Sequence, residues 1–370
     1  MKYYLIAGEA SGDLHGSNLM RELKQRDPSA SFRFWGGDLM LAQGGEMVSH
    51  YRERAYMGFV EVIRHLGKIM GFIKQCKEDI LEYRPHVVIL IDYPGFNLRI
   101  AEFAHSQGYR VFYYISPQVW AWKESRVLNI KKYVERMFVI LPFEKEFYRK
   151  WNYGVDFVGH PLLDAIKNYG KDASVTTAEG KKILALLPGS RRQEIKLMLP
   201  VMLQMKKEFP QYLFVIAGAP SIPAEFYKSI IGEGDTEIWY DRTYELLQQA
   251  EAALVTSGTA TLETALFKVP QVVCYKGNKI SYLIARRLIR VKYISLVNLV
   301  MDQEIVKELI QDDLNPAKLK AELSLLLPGS PGRDVMLRQY GVLETKLGSS
   351  GASARTAEKM IAYLTAKNPS

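Results

Sequence analysis

The chain has 370 residues, 48% of them hydrophobic and 24% charged, which is enough apolar material for two cores and excludes a disordered chain. The two cysteines, Cys76 and Cys274, lie far apart, so neither a disulfide framework nor a cysteine metal cluster is expected and a reducing compartment fits. A net charge of +9 favours acidic partners: phosphates, nucleic acid or an anionic membrane face. The start Met1-Lys2-Tyr3 leads directly into a strand pattern, and no apolar run approaches membrane-spanning length, so a cytoplasmic protein is expected.

In chain order, strand and helix patterns alternate nearly throughout, the signature of parallel sheets with helices on both faces. Tyr3 to Ala7 reads as the first strand, Gly8 to Gly16 as a loop, and about Ser17 to Gln25 as a helix. Ligands gather at the carboxyl ends of strands in such folds, which makes Glu9 and Asp13 candidates for chemistry; Asp13 could equally cap a helix. Phe32 to Trp35 is a second strand. The stretch from Phe59 through Val62, Ile63, Leu66 and Met70 to Ile73 is apolar over much of its circumference and punctuated by Arg64 and Lys68. It reads either as an interfacial membrane helix or as a buried helix with snorkelling lysines.

Val87 to Ile91 is a continuous aliphatic run, hence a central strand, and Asp92 follows it immediately. An ionisable group at the exit of a buried strand must be hydrogen-bonded or employed, and partial burial would raise its pKa toward a value useful for a general base. Capping of the next helix is the competing role. Arg110 to Ile115 is the next strand, ending in Ser116-Pro117-Gln118-Val119-Trp120-Ala121-Trp122. Trp120 and Trp122 suggest a sugar or acyl platform, an interfacial anchor, or packing between domains. Met137 to Leu141 closes this half. His160 has no metal-spaced partner and reads as a hinge residue, a ligand contact or a structural histidine.

A polar stretch, 167–180, marks a linker between a domain at 1–166 and a second at 181–347, with a terminal helix in 348–370. In the second half, Ile183 to Leu187 runs into Gly189-Ser190-Arg191, and Ala252 to Val255 runs into Ser257-Gly258-Thr259. Each junction reads as strand, small-residue turn and helix start, where unpaired backbone N–H groups and the helix dipole bind an anion. Arg191 adds a planar fork suited to a diphosphate. Glu263, placed in the first turn of its helix, could reach sugar hydroxyls or merely complement the dipole. Asn298 follows an apolar stretch and could line a cleft or form a local turn. From Thr264 to Met301 there are seven basic and no acidic residues, a composition that gains affinity for anionic membranes.

Seven blocks then carry a resemblance: Ala7-Gly8-Glu9-Ala10-Ser11-Gly12-Asp13, Ser116 to Trp122, Leu141-Pro142-Phe143-Glu144, Gly159-His160, Leu187-Pro188-Gly189-Ser190-Arg191, Thr256 to Glu263, and Ser295-Leu296-Val297-Asn298-Leu299. In order and register they resemble the lipid A disaccharide synthase family. The resemblance implies an α/β protein of GT-B architecture, with two doubly wound parallel-sheet (Rossmann-like) domains facing a cleft. It implies an inverting hexosyltransferase with no metal or other cofactor, which moves 2,3-diacylglucosamine from its UDP conjugate to 2,3-diacylglucosamine 1-phosphate. Asp92 matches the family's proposed base; Glu9 and Asp13 could serve the acceptor or that same role. Gly189, Ser190, Arg191, Ser257, Gly258 and Thr259 would hold the diphosphate, Glu263 the ribose, and Asn298 would lie near the donor. The family often has a second acid after the proline that follows its aspartate, where this chain has Gly95. Acylated substrates place the protein peripherally on the inner face of the cytoplasmic membrane and leave a homodimer open.

Two other classes fit parts of the chain. A UDP-N-acetylglucosamine 2-epimerase would share the architecture but need no lipid acceptor. A basic protein that binds nucleic acid would keep its partner after loss of Asp92; no recognised nucleic-acid motif is present, so that partner is not expected.

Overall fold

A computed structural model of the chain describes residues 1–53, 66–122, 124–169, 182–232, 236–278 and 291–366. The chain divides into two compact units, one built from Met1–Pro161 together with Gly348–Ser370, the other from Leu162–Leu347.

The first unit contains strands β1 (Lys2–Ala7), β2 (Ser31–Gly36), β3 (Glu46–His50), β4 (Val87–Ile91), β5 (Arg110–Tyr114), β6 (Arg136–Val139) and β7 (Asp156–Phe157). Its helices are α1 (Ala10–Arg26), α2 (Asp38–Ala42), α3 (Leu66–Tyr83), α4 (Pro94–Ser106), α5 (Val119–Trp122), α6 (Arg126–Tyr133) and α7 (Pro142–Arg149). The strands pair in parallel in the order β3-β2-β1-β4-β5-β6-β7. All five residues of β4 are buried, as expected of a central strand covered on both faces. Alternation along β1 sends Tyr4 and Ile6 into a core shared with α3, α4 and α6, and Tyr3, Leu5 and Ala7 into a core shared with α1. Ala357 and Met360, from the helix Ala352–Thr365, fill that second core.

The second unit opens with α8 (Leu162–Tyr169), which packs on a later helix of the same unit rather than ending the first domain, so the division falls at Pro161 and not at 166. Its strands β8 (Ile183–Leu187), β9 (Leu213–Gly218), β10 (Glu237–Tyr240), β11 (Ala250–Thr256), β12 (Gln271–Tyr275) and β13 (Lys307–Ile310) form a parallel sheet ordered β10-β9-β8-β11-β12-β13. Helices α9 (Arg192–Leu203), α10 (Met205–Glu208), α11 (Ala224–Ile231), α12 (Thr243–Gln249) and α13 (Thr259–Leu266) follow in chain order.

In each sheet the strand order reverses once, between β1 and β4 and between β8 and β11. Connections leave such a point to opposite faces and open a crevice at the strands' carboxyl ends, where open α/β sheets bind ligands.

The stretch expected as a loop, Gly8 to Gly16, is helical from Ala10. The glycines there serve close approach. A Cβ on Gly12 would lie 3.1 Å from the Ala7 side chain and one on Gly16 would lie 2.6 Å from Met40 Sδ, so they let α1 rest against strand and helix neighbours. Phe59, Val62 and Ile63, four of the seven basic residues between Thr264 and Met301 (Lys279, Arg286, Arg287 and Arg290) and most of the expected linker lie outside the described residues. Among the described residues no helix is long and apolar enough to cross a membrane.

Candidate functional site

In the second unit, the exits of β8, β9 and β11 surround a pocket of about 450 Å³. Gly189, Ser190, Arg191, Ser257, Gly258, Thr259 and Glu263 all line it, together with Gly218, Ala219, Thr243 and Thr256. Two helices, α9 and α13, begin at this pocket, bringing two helix N-termini and the positive ends of their dipoles to one cavity. Gly189 is required by geometry: its φ is +105°, and a Cβ there would lie 2.6 Å from Glu194 Oε2. Glu194 also accepts the Arg191 backbone N–H at 3.3 Å and the Arg191 guanidinium at 3.3 Å. The Arg191 side chain is nonetheless 79% exposed, a cation held at the pocket rim by one surface pair.

Glu263 stands five residues past the N-cap Gly258, in the second turn of α13 rather than the first. Burial pushes its carboxyl up, and a 3.2 Å hydrogen bond from the Tyr244 hydroxyl opposes that rise. Its role as a simple complement to the helix dipole is weakened by that position, because the dipole effect is confined to the first turn. Ser257 donates its hydroxyl to the Ile294 carbonyl at 2.7 Å, which leaves its backbone and lone pairs for the pocket. Thr256, the last residue of β11, lines the same pocket with a buried hydroxyl that has no hydrogen-bond partner among the described residues. Sequence reasoning missed it; its signal is a hydroxyl residue at the end of an aliphatic strand.

Asn298 does not line the pocket. It is fully buried and its side-chain amide is saturated: Nδ2 donates to the Val306 carbonyl and Glu308 at 2.8 Å each, and Oδ1 accepts from the Ile305 and Val306 N–H groups at 2.7 and 3.0 Å. Glu308 also accepts from the Ile294 and Ser295 N–H groups. The amide therefore braces the segment on which Ser257 rests, a structural task in place of the expected donor contact.

In the first unit, the exits of β1 and β4 bring Glu9 and Asp92 together. Asp92 has its carboxyl raised to about 6, chiefly by burial and then by the nearby charge of Glu9, with the Tyr93 backbone N–H acting against both. Glu9 is exposed at the N-cap of α1. The chain turns here through two consecutive left-handed residues, Asp92 (φ 45°) and Tyr93 (φ 50°). For residues bearing a Cβ this conformation costs roughly 1–2 kcal/mol each, a cost concentrated at functional sites. The Tyr93 ring lies directly over Gly8, where any Cβ would come within 2.2 Å of it.

Asp13 is not available for chemistry. It is 3% exposed and accepts the backbone N–H groups of Gly37, Leu39 and Met40 at 2.8, 3.1 and 3.0 Å, so it caps α2, a helix other than its own. Trp120 is 7% exposed, edge-to-face with Phe143 at 4.9 Å, and donates its indole N–H to Glu144 at 3.3 Å. It is thus packed inside its own unit and presents no open platform; Trp122 ends α5. Ile73 is 4% exposed within the core, which removes it from any membrane-facing surface, whereas Met70 on the same helix is 60% exposed. Leu66 begins that helix. His160 is buried beside His15, and burial lowers both imidazoles, to about 3 and about 4, so the pair is neutral near pH 7.

Residues 3–348 match the family model described as lipid-A-disaccharide synthetase. The chain belongs to the lipid-A-disaccharide synthase family. It is 39% identical to the lipid-A-disaccharide synthase of Geobacter sulfurreducens, an alignment covering 95% of this chain and 94% of that protein. It is 38% identical to that of Nitrosococcus oceani, with 98% and 96% covered. Among solved structures, the glycosyltransferase of kitacinnamycin superposes with a TM-score of 0.69 at 15% identity over 98% of this chain and 99% of that one. The UDP-GlcNAc 2-epimerase of Neisseria meningitidis does so at 0.68 with 12% identity over 98% and 100%. These superpositions fix the fold, GT-B with two Rossmann-like domains; family membership makes the chain a hexosyltransferase of lipid A biosynthesis.

Proposed function

We propose that the chain transfers 2,3-diacylglucosamine from UDP-2,3-diacylglucosamine to 2,3-diacylglucosamine 1-phosphate with inversion, giving the β-1,6-linked disaccharide 1-phosphate and UDP. The observation that supports it most is the pocket at the β8/β11 switch point, which joins two helix N-termini, Arg191 and Glu263 in one cavity. The N–H groups and Arg191 would take the diphosphate, whose developing charge on departure they stabilise, and Glu263 the ribose hydroxyls. Asp92 would accept the proton of the acceptor 6-hydroxyl as its oxygen attacks the anomeric carbon and the bond to UDP breaks. Glu9 would stand beside it, holding the base in a useful range by repulsion or contacting the acceptor. Both sugars carry acyl chains, so the protein would work on the inner face of the cytoplasmic membrane, with Met70 as an exposed apolar side chain on α3.

The test incubates the purified chain with the UDP donor, with and without the acylated monosaccharide 1-phosphate. Disaccharide and UDP should appear only with acceptor. UDP release independent of acceptor, or epimerisation of UDP-N-acetylglucosamine, would replace this reading. Asp92→Asn should lower turnover by about 10²–10⁴-fold while UDP affinity stays within twofold, and a metal chelator should leave the rate unchanged.

A further inference from the structure

We propose that Tyr113 and Asn97 are positioning residues that hold the Asp92 backbone in its left-handed turn and so aim its carboxylate. The proposal rests on Asp92 being the base.

The backbone of Asp92 is fixed on both sides. Its N–H donates to the Tyr114 carbonyl at 3.2 Å, so the residue is still tied to the β5 neighbour strand. Its carbonyl accepts two side-chain donors, the Tyr113 hydroxyl at 2.5 Å and Asn97 Nδ2 at 2.7 Å. Asn97 Nδ2 also reaches the Ile91 carbonyl at 3.2 Å, which closes the end of β4 onto the start of α4. Both donors are fully buried. With N–H and C=O pinned, the direction of the Asp92 Cα–Cβ bond is set, and only the side-chain torsions remain free. Tyr93, also left-handed, cannot relax toward β1 because its ring already rests on Gly8.

Both donors bond the Asp92 backbone carbonyl rather than donating to its carboxylate, which separates their task from that of the base. The arrangement also carries a cost that stability alone would not retain. Asn97 Oδ1 is buried without a hydrogen-bond partner among the described residues, so the amide is oriented for what its nitrogen donates to. Tyr113 is equally constrained: burial beside Asp92 pushes its phenol far above the ordinary range, so the hydroxyl stays a donor across the working pH range.

Tyr113→Phe removes one hydroxyl and keeps the ring. It should lower kcat for disaccharide formation by about 10- to 100-fold, the scale of a misplaced catalytic group, with donor KM and UDP Kd within about twofold. The acid limb of the kcat profile should move to lower pH, since a loosened turn hydrates the carboxylate. Tyr3→Phe is the control. It loses a buried hydroxyl bonded to Asp27 at 3.0 Å, at the opposite end of the same sheet, and should leave kcat and the acid limb in place. Asn97→Ser, which withdraws the amide donor, should repeat the Tyr113→Phe result and serves if that variant does not fold. Parental kcat and acid limb in Tyr113→Phe, with Asp92→Asn inactive, would overturn the positioning role and leave the base in place. Equal losses in Tyr3→Phe would overturn it as well, by reducing the effect to stability. Near-normal turnover in Asp92→Asn would overturn the base itself.

Discussion

Asp92 and Glu9 are two carboxyl groups from different strand exits that share one small region, and burial together with repulsion lifts the first to about 6. A base acts only when deprotonated, so kcat/KM should fall about tenfold per pH unit below pH 6, with a plateau above it. Glu9→Gln removes the repulsive contribution but not the burial; the limb should move toward lower pH without disappearing, as a pH series on the variant would show. On the nucleotide side, Gly189→Ala places a methyl 2.6 Å from Glu194 Oε2 at φ +105°, and UDP affinity should drop by at least about tenfold, read by calorimetric titration. The burial of Asp92 and the rise of its carboxyl were legible in sequence, because a carboxylate directly after a run of five aliphatic residues stands where burial is expected. Asp13 and Asn298 were not. Each looks like a site residue in its own motif, and its hydrogen-bond partners, at Gly37 to Met40 and at Val306 to Glu308, stand on segments that no local pattern connects to it.

At the level of elements, the strands whose limits follow from a continuous apolar run are central ones: β4 and β8 carry the expected limits, and β1 and β11 differ by at most two residues at either end, because a run buried on both faces must be apolar without interruption. β3, β7 and β13 were missed. They are short strands at the sheet edges, half exposed, and mixed polar residues satisfy them as well as apolar ones. The start of α1 was missed for a different reason: glycines that permit close packing look like glycines that permit a turn. The exit of β5 is held by a buried network in which Glu144 caps α7 through the Leu141 N–H at 3.0 Å and accepts the Trp120 indole, while Ser116 bonds the Tyr148 hydroxyl at 2.6 Å. Burial lifts the Glu144 carboxyl from 4.5 to about 7. The native state therefore binds this proton more tightly than the unfolded chain, so its stabilising contribution is complete below about pH 4.5 and is lost as pH rises to about 7. Glu144→Gln, neutral at every pH, should flatten that part of the Tm-versus-pH curve; an unchanged slope would assign it to other groups.

At the scale of the molecule, the first unit is discontinuous. The helix Ala352–Thr365 lies on α1, with Lys359 and the Tyr363 hydroxyl both 2.9 Å from the Asp156 carboxylate and Arg355 donating to the Val158 carbonyl at 2.9 Å. Met360 is fully buried in the core it shares with Leu19 and Leu23. Met360→Ala should cost about 2–5 kcal/mol. In a unit of this size that lowers its melting transition by on the order of 10 °C, and the transition of the second unit should stay in place in the same calorimetric scan. Because residues 162–347 stand between the two parts of the first unit, the order of synthesis and the order of completion differ. A ribosome releases all of the second unit before it releases the helix that covers α1, at roughly 5–20 residues per second. The nascent first domain therefore waits through the whole manufacture of its neighbour with one apolar face uncovered, and its folding ends only after the helix Ala352–Thr365 has been made.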